Sequence, residues 1–440
     1  MSTSLNFRKD TATPPSLCGA VHHMNQQDVT VSPRKSADSP TPKQKKAPER
    51  WIKFRHRVVR AIAYAILYPY SLIRYHVRIE KLRDPRQFVV LYNHQTPFDQ
   101  FFVGMAFPRV IYYLATEDIF SNGIVSTLIR HLVAPIPIKK QTTDLKAIKT
   151  MLRVAREGGS ISIAPEGNRT YSGRTEYMSP SIAPLVRRMK LPIALYRLEG
   201  GYGVHPRWSD VVRKGRMRGY VSRIIEPEEY MELSDEELFE IIKTELTVDE
   251  AKADACFYHK KSAEYLERLF YVCPSCGLSV FESHGDTVSC TKCGMKVHYL
   301  PTKELSAEES ALPFRFVADW YDYQKDFVNA LDLTLSVEEP CFRDTVTLSE
   351  VIPYQKKLLL QKDAPAALYG DRAVFGDMTV RFSEATSFAV LGRNKLNVYT
   401  DGKILQIRGD KRFNAIKYVH FYHRYKNMNT GDGNGKFLGL

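Results

Sequence analysis

No stretch of this 440-residue sequence runs for 18 or more apolar residues, the length a membrane-crossing helix needs. The best candidate, Val58–Ile73, has 16 residues and is interrupted by Arg60 and Pro69, so the expectation is a helix lying on a membrane rather than crossing it. No internal repeat is present. Cysteine is scarce, and four of the seven fall in two Cys-x-x-Cys pairs. Without a cleavable secretory signal, that spacing reads as metal ligation in a reducing compartment rather than as a disulfide framework.

Acidic residues are few at the N-terminal end: Met1–Arg83 holds 5 Asp and Glu against 16 Lys and Arg, most of a net charge of +14. Large apolar side chains are also rare before residue 50, so 1–50 is expected to be a disordered basic tail, with Met24 a second candidate start. The remainder of the chain reads as globular, because 44% hydrophobic content is enough to bury at least one large core. Residues 51–83 read as a membrane-interface helical segment: Arg55, Arg57 and Arg60 flank an apolar, Tyr-rich run, the composition suited to anionic lipid.

From residue 84 to 230, β-type runs ("FVVLY", "VIYYLA", "SISIA", "LPIALYRL") alternate with helical ones such as Thr143–Arg156, which Gly158 and Gly159 stop. The alternation predicts an α/β core, a mixed sheet flanked by helices. Ser234 with Glu237 three positions on predicts a capping box opening a helical connector over 231–270. A cysteine module at 271–301, a helical linker at 302–352 and a β-rich domain at 353–440 complete the chain. In the last, "KLNVYTDGKILQI" predicts a hairpin with a two-residue Asp-Gly turn, and "FNAIKYVHFYHRYKN" a closing helix.

Two turns carry candidate chemistry. In "VVLYNHQTPFDQ", Thr96 reads as a helix N-cap, Pro97 as the first helical residue and Asp99 as N3. His94 sits at the end of a strand, where ligand sites of open α/β sheets lie, and can turn its ring towards Asp99. The carboxylate would then fix the tautomer and leave the other ring nitrogen to take a proton from a hydroxyl. In "SISIAPEGNRT", Glu166, Gly167, Asn168 and Arg169 occupy a second strand-end turn; Gly167 permits close backbone approach and Arg169 offers a fork for phosphate oxygens.

Together, "NHQTPFD" and, 72 residues after His94, "APEGNRT" resemble the signatures of the lysophospholipid and glycerol-phosphate acyltransferase family, Asn-His-x4-Asp and Phe-Pro-Glu-Gly-Thr-Arg-Ser. The resemblance covers roughly residues 55 to 230. It implies that His94 is the general base and Asp99 its partner. Glu166, Gly167, Asn168 and Arg169 would hold a phosphate-bearing lysophospholipid acceptor, and acyl-CoA or acyl-carrier protein would be the donor. Lys140 in "PIPIKKQ" takes the place of a family arginine and would offer a point charge where arginine is bidentate. Ala164, Asn168 and Thr170 stand where Phe, Thr and Ser are usual. The default product is phosphatidate from 1-acyl-sn-glycerol-3-phosphate, with another lysolipid or a non-glycerol lipid as alternative acceptors. No catalytic metal is expected.

Cys273, Cys276, Cys290 and Cys293 form two knuckles that predict a closed four-sulfur site for a structural zinc, a zinc ribbon with no open coordination position. The ribbon is expected to be separable from the core, so that a chain ending near Glu267 would keep its chemistry. The strands closed by a C-terminal helix resemble a bacterial pleckstrin-homology-like (PH-like) domain. Expected partners are thus the acyl donor, the lysophospholipid and an anionic membrane surface at the cytoplasmic face, with the protein peripheral or monotopic. Two other classes fit parts of the sequence. One is a lipid-binding protein in which His94 does not turn over. The other is a zinc-ribbon nucleic-acid binder, which the confinement of basic charge beside an apolar helix argues against, so no nucleic acid is expected.

Overall fold

The computed structural model describes residues 50–121, 123–138, 144–308, 312–352, 355–400 and 402–430. The basic tail and Lys140 lie outside them. A seven-stranded mixed sheet occupies the first half: β1 (Val77–Ile79), β2 (Val89–Tyr92), β3 (Ile111–Thr116), β4 (Ile136–Ile138), β5 (Ser160–Ile163), β6 (Ile193–Glu199) and β7 (Met217–Ile225), in the order β1-β7-β6-β2-β5-β3-β4. Only β6 and β7 pair antiparallel. The central strands β2 and β5 are buried at every position, as expected of strands covered on both faces.

Alternation along these strands sends neighbouring residues to opposite faces. Val89, Leu91, Ile161, Ile163, Ile193 and Leu195 face one core, while Val90, Tyr92, Ala194, Tyr196 and Leu198 face another. The helices divide accordingly. Among the helices α1 (Phe54–Tyr75), α2 (Asp99–Ala106), α3 (Ile124–Leu132), α4 (Leu145–Arg156), α5 (Ile182–Arg187), α6 (Gly201–Val204), α7 (Pro227–Met231) and α8 (Asp235–Leu246), α4, α5 and α8 cover the first face and α2 the second. Asp144 caps α4 through the N–H groups of Lys146 and Ala147, both at 3.0 Å.

Helix α1 turns apolar side chains outward. Phe54, Val58, Ile62, Ile66 and Ile73 form one exposed stripe, and on α3 Ile124, Val125 and Leu128 are exposed too. Among the described residues no helix is long and apolar enough to cross a membrane.

The expected helical connector at 231–270 is corrected. The Ser234–Glu237 capping box forms, with bonds of 2.7 and 3.1 Å, but α8 stops at Leu246 and only a 3-10 turn, Leu266–Arg268, follows before residue 270. Tertiary contacts override local propensity there: Val248 bonds Thr175, and Lys214 and Tyr258 exchange backbone bonds.

The other boundaries move as well. The cysteine module contains the short pair β8 (Val272–Cys273) and β9 (Gly277–Leu278), then the sheet β10 (Phe281–His284), β11 (Thr287–Cys290), β12 (Lys296–Tyr299) and β13 (Leu305–Ala307), so it runs past 301. Among its described residues the 302–352 segment holds one α-helix, α9 (Val317–Ala330), and a 3-10 turn, Leu333–Ser336, but ends in β14 (Phe342–Glu350). Inward Phe342, Val346 and Leu348 make β14 part of the C-terminal sheet, which therefore starts before 353. That sheet adds β15 (Leu358–Leu368), β16 (Arg372–Phe375), β17 (Met378–Arg381), β18 (Ser387–Leu391), β19 (Lys395–Thr400) and β20 (Lys403–Arg408), all antiparallel in the order β17-β16-β15-β14-β20-β19-β18. Thr400 pairs with Lys403, Asp401 of the expected Asp-Gly turn lying outside the described residues, and α10 (Ile416–Thr430) packs on the sheet, with Tyr422 stacked on Phe388 at 4.9 Å.

One continuous cluster links these parts. It runs from Tyr171 and Trp208 of the first half through Phe270, Phe281 and Trp320 to Phe342 and Phe421. Phe270 and Trp320 stack at 4.0 Å. The cysteine module is therefore built into a shared core rather than appended to it.

Candidate active site and cysteine centre

Strand β2 ends in Asn93, whose side chain both donates to and accepts from the backbone of Leu198, at 2.8 and 2.7 Å. This fixes the start of the loop that carries His94. The His94 Nδ1 lies 2.7 Å from an Asp99 carboxylate oxygen that also receives the N–H groups of Gln95 (2.6 Å) and Thr96 (2.8 Å). The other oxygen takes the Thr96 hydroxyl at 2.5 Å. Asp99 is fully buried. Held by four donors it is a fixed acceptor, so Nδ1 carries the proton and Nε2 is left as the basic atom.

The helix start differs from the expected one by two residues. Thr96 is not the cap; α2 begins at Asp99 after Phe98, because Pro97 and Phe98 form a turn and the Asp99 carboxylate folds back onto the preceding N–H groups. Burial holds His94 below its ordinary value of 6.5, against the raising effect of Asp99. The ring is therefore neutral at pH 7 and competent as a base.

The second motif grips the first. Glu166 accepts the His94 N–H at 2.8 Å, and Thr170 N–H donates to the His94 carbonyl at 3.0 Å. Burial pushes the Glu166 carboxyl up to about 8. Glu166 thus holds the backbone of His94 rather than facing outward. Gly167 has φ +68 with nothing near its absent Cβ, so the turn needs glycine for its backbone and not for space. Asn168 lies 3.5 Å from Arg207. Arg169 stands beside them, with Nη1 shut off from solvent and without a protein partner. Burial and the guanidiniums of Arg207 and Arg393 push Arg169 down to about 9.

Residues 74–195 match the model of a family described as Acyltransferase. They are an acyltransferase-family domain. Over 92 residues the chain is 27% identical to the curated 1-acyl-sn-glycerol-3-phosphate acyltransferase of Bacillus subtilis (strain 168), 21% of this chain and 46% of that protein. It thus spans about half the length of that relative. The crystal structure of the 1-acyl-sn-glycerophosphate (LPA) acyltransferase PlsC from Thermotoga maritima aligns with a TM-score of 0.37 and 17% identity, over 44% of this chain and 80% of that one.

Around the acyltransferase domain are residues that sequence reasoning missed. Glu250 is buried, accepts the Gly200 N–H at 2.6 Å and lies 3.4 Å from the Gln95 amide, so the 247–258 strap buttresses the loop after His94. The buried Arg207 donates to the carbonyls of Arg169 (2.9 Å), Gly392 (3.0 Å) and Val390 (3.0 Å), and stacks on Tyr171 at 3.9 Å. His205 bonds the Tyr75 hydroxyl through Nδ1 at 3.0 Å and Arg393 through Nε2 at 2.9 Å.

The four expected cysteine sulfurs lie within 4.8 Å of one another. Cys273 and Cys293 are 3.6 Å apart, as are Cys276 and Cys290. A tetrahedral zinc with Zn–S of ~2.3 Å sets its sulfurs ~3.8 Å apart, so the set fits a four-sulfur metal ion. Gly277 (φ +74) and Gly294 (φ +78) take the left-handed position after each pair. His298 is turned to Glu308 at 3.0 Å and is not a ligand.

Proposed function

We propose that the chain is an O-acyltransferase that moves a fatty acyl group from acyl-CoA or acyl-carrier protein to a hydroxyl of a lysophospholipid, with 1-acyl-sn-glycerol-3-phosphate the leading acceptor. The observation that carries this is the His94–Asp99 pair, with Nδ1 spent on a buried carboxylate and the backbone of His94 held by Glu166 and Thr170. Nε2 removes the acceptor's hydroxyl proton as the oxygen attacks the thioester carbonyl. The tetrahedral intermediate collapses with loss of thiolate, which takes the proton back from the imidazolium. Asp99 stabilises that imidazolium, and Arg169 faces the anionic headgroup.

The outward stripe of α1 and the exposed apolar residues of α3, flanked by Arg55 and Arg57, support attachment to an anionic membrane surface at the cytoplasmic face, peripherally or monotopically. The cysteine centre is a structural zinc ribbon; bound metal would cross-link β8–β9 to β11 and supply folding energy rather than chemistry. The C-terminal sheet and α10 form a PH-like domain. Lipid mass spectrometry of the full chain, given mixed lysolipids with acyl-CoA or acyl-carrier protein, tests the reading. A diacylated product from one lysophospholipid is expected, and no acylated product from any acceptor with either donor would overturn it.

A further inference from the structure

The turn between β18 and β19 reaches across the molecule to the acyltransferase domain. Leu391 pairs with Lys395, and Gly392 (φ +66) turns the chain so that Arg393 points at His205. Arg207 makes the placement rigid. A single buried guanidinium holds the carbonyl of Arg169 and those of Val390 and Gly392, so the backbones carrying Arg169 and Arg393 are fixed to the same group. Arg393 also lies 2.9 Å from Asp210, which is shared with Arg268 at 2.9 Å. The Arg393 side chain is still 32% exposed, which leaves the place open to the surface.

Charge here does not balance. Arg207 and Arg393 both lie close enough to repel Arg169; of the nearby carboxylates, Asp210 is already divided between two arginines, and Glu176, which acts on Arg207, is paired with Lys325. Asp99 is spent on His94, and Glu166 on a backbone N–H. His205 is held neutral by burial and by the neighbouring guanidiniums, so it adds no positive charge and serves as an acceptor for Arg393. Arg169 Nη1 and Arg393 Nε are both closed to solvent and without a protein partner. Unpaired buried donors on two repelling cations are a costly arrangement that a bound anion would relieve.

We propose that Arg393 joins Arg169 in a two-arginine subsite for the phosphate of the acceptor, so that the C-terminal sheet completes the acyltransferase site. Arg207 is the positioning residue that sets the two guanidiniums relative to each other. The proposal rests on the lysophospholipid reading. A phosphate also occurs in the donor, in coenzyme A and in the carrier protein's prosthetic group, so the test separates the two sources.

The full chain and its Arg393→Gln, Arg393→Lys and Arg381→Gln forms are assayed with acyl-CoA and 1-acyl-sn-glycerol-3-phosphate. In parallel, thermal stabilisation by the same lysophosphatidate and by monoacylglycerol is recorded without donor. Arg393→Gln is expected to raise the acceptor KM on the order of tenfold or more, as a lost charge-assisted hydrogen bond does, with the acyl-CoA KM unmoved. Arg393→Lys should recover part of this. Arg381→Gln, on β17 at the edge of the same sheet, is expected to match the unmodified chain. Lysophosphatidate should stabilise the unmodified chain and not Arg393→Gln; monoacylglycerol should stabilise neither. An acceptor KM that stays put in Arg393→Gln while transfer proceeds overturns the subsite and leaves the activity standing. A raised acyl-CoA KM alone assigns the subsite to the donor and overturns it equally. Arg393-dependent binding without transfer keeps the subsite and overturns the acyltransferase reading, whereas neither binding nor transfer by the unmodified chain contradicts both.

Discussion

Replacing Asp99 by Asn separates what this carboxylate does for the fold from what it does for the chemistry. One Asp99 oxygen receives three N–H donors, from His94, Gln95 and Thr96, and the other receives the Thr96 hydroxyl. An Asn whose amide nitrogen faces Thr96 Oγ1 keeps all four contacts, because that hydroxyl can turn to accept. What is lost is charge on three hydrogen bonds, ~1 kcal/mol each, offset in part because a charge is no longer buried. The Tm should therefore fall by only a few degrees. Catalysis should fall much further: the imidazolium formed as Nε2 takes the proton loses its counter-charge, and general-base assistance is worth about 10²–10⁴-fold. Thiol release from acyl-CoA, followed against pH, measures this. The sign is fixed by His94. In the proposed mechanism its neutral form is the active one, so kcat/KM of the unmodified enzyme should decline as pH drops through a value held below 6.5. Asp99 raises that value, so in Asp99→Asn the acid limb moves to lower pH while the plateau drops. A plateau within threefold of the unmodified one, or an acid limb displaced upward, would refute the pairing.

Buried neutral histidines set a second pH dependence. Burial holds His205 down to about 3 and His420 well below 6.5, so the unfolded chain takes up protons below about 6.5 that the native one does not, and each group removes up to ~1.4 kcal/mol of stability per pH unit there. Urea unfolding of His420→Gln between pH 6.5 and 4.5 should show a shallower loss than the unmodified chain, and an identical slope would contradict this. One zinc per chain is expected by elemental analysis, reduced in Cys290→Ser. Because the cysteine module shares its core with Tyr171 and Trp208, a chain ending near Glu267 should aggregate or be inactive, the reverse of the sequence expectation; a folded, active product of that truncation would restore it. On α1, Ile62→Asp with Ile66→Asp removes two exposed apolar anchors of ~1.5–3 kcal/mol each, so flotation with anionic vesicles should weaken at least about a hundredfold, and unchanged flotation would move the membrane contact elsewhere.

The parts legible in the sequence are those whose partners are close along the chain or share a fixed spacing. His94 and Asp99 are five residues apart and meet within one turn, and the four cysteines announce themselves by two x-x intervals. The strands of the core are legible because β2 and β6 are nearly continuous apolar runs bounded by turn residues, while β5 alternates Ser with Ile161 and Ile163. Glu166 stands out in its motif, but its task, holding the His94 N–H across 72 residues, does not. Arg207 and Arg393 leave no trace in local pattern, since Arg207 acts on Gly392 and Arg393 on His205 from 185 and 188 residues away. The 247–258 strap reads as helix because its composition suits one, while Glu250 is drawn out by Gly200 and Gln95. Strand β14 escapes notice because its inward set, Phe342, Val346 and Leu348, alternates with charged and hydroxyl residues in a segment that reads as linker.

The proposed chemistry turns on His94 Nε2 taking the proton in acyl transfer to a lysophospholipid. The decisive comparison is the product formed by purified His94→Ala beside the unmodified chain, with 1-acyl-sn-glycerol-3-phosphate and acyl-CoA and lipid mass spectrometry as the readout. Removing the ring from a loop at the end of β2 takes away no core volume, and the Glu166 and Thr170 bonds are to the backbone of residue 94 and survive. The unmodified chain is expected to make phosphatidate, and a folded His94→Ala at least about a hundredfold less; phosphatidate formed by His94→Ala at the unmodified rate would contradict the assignment of the base.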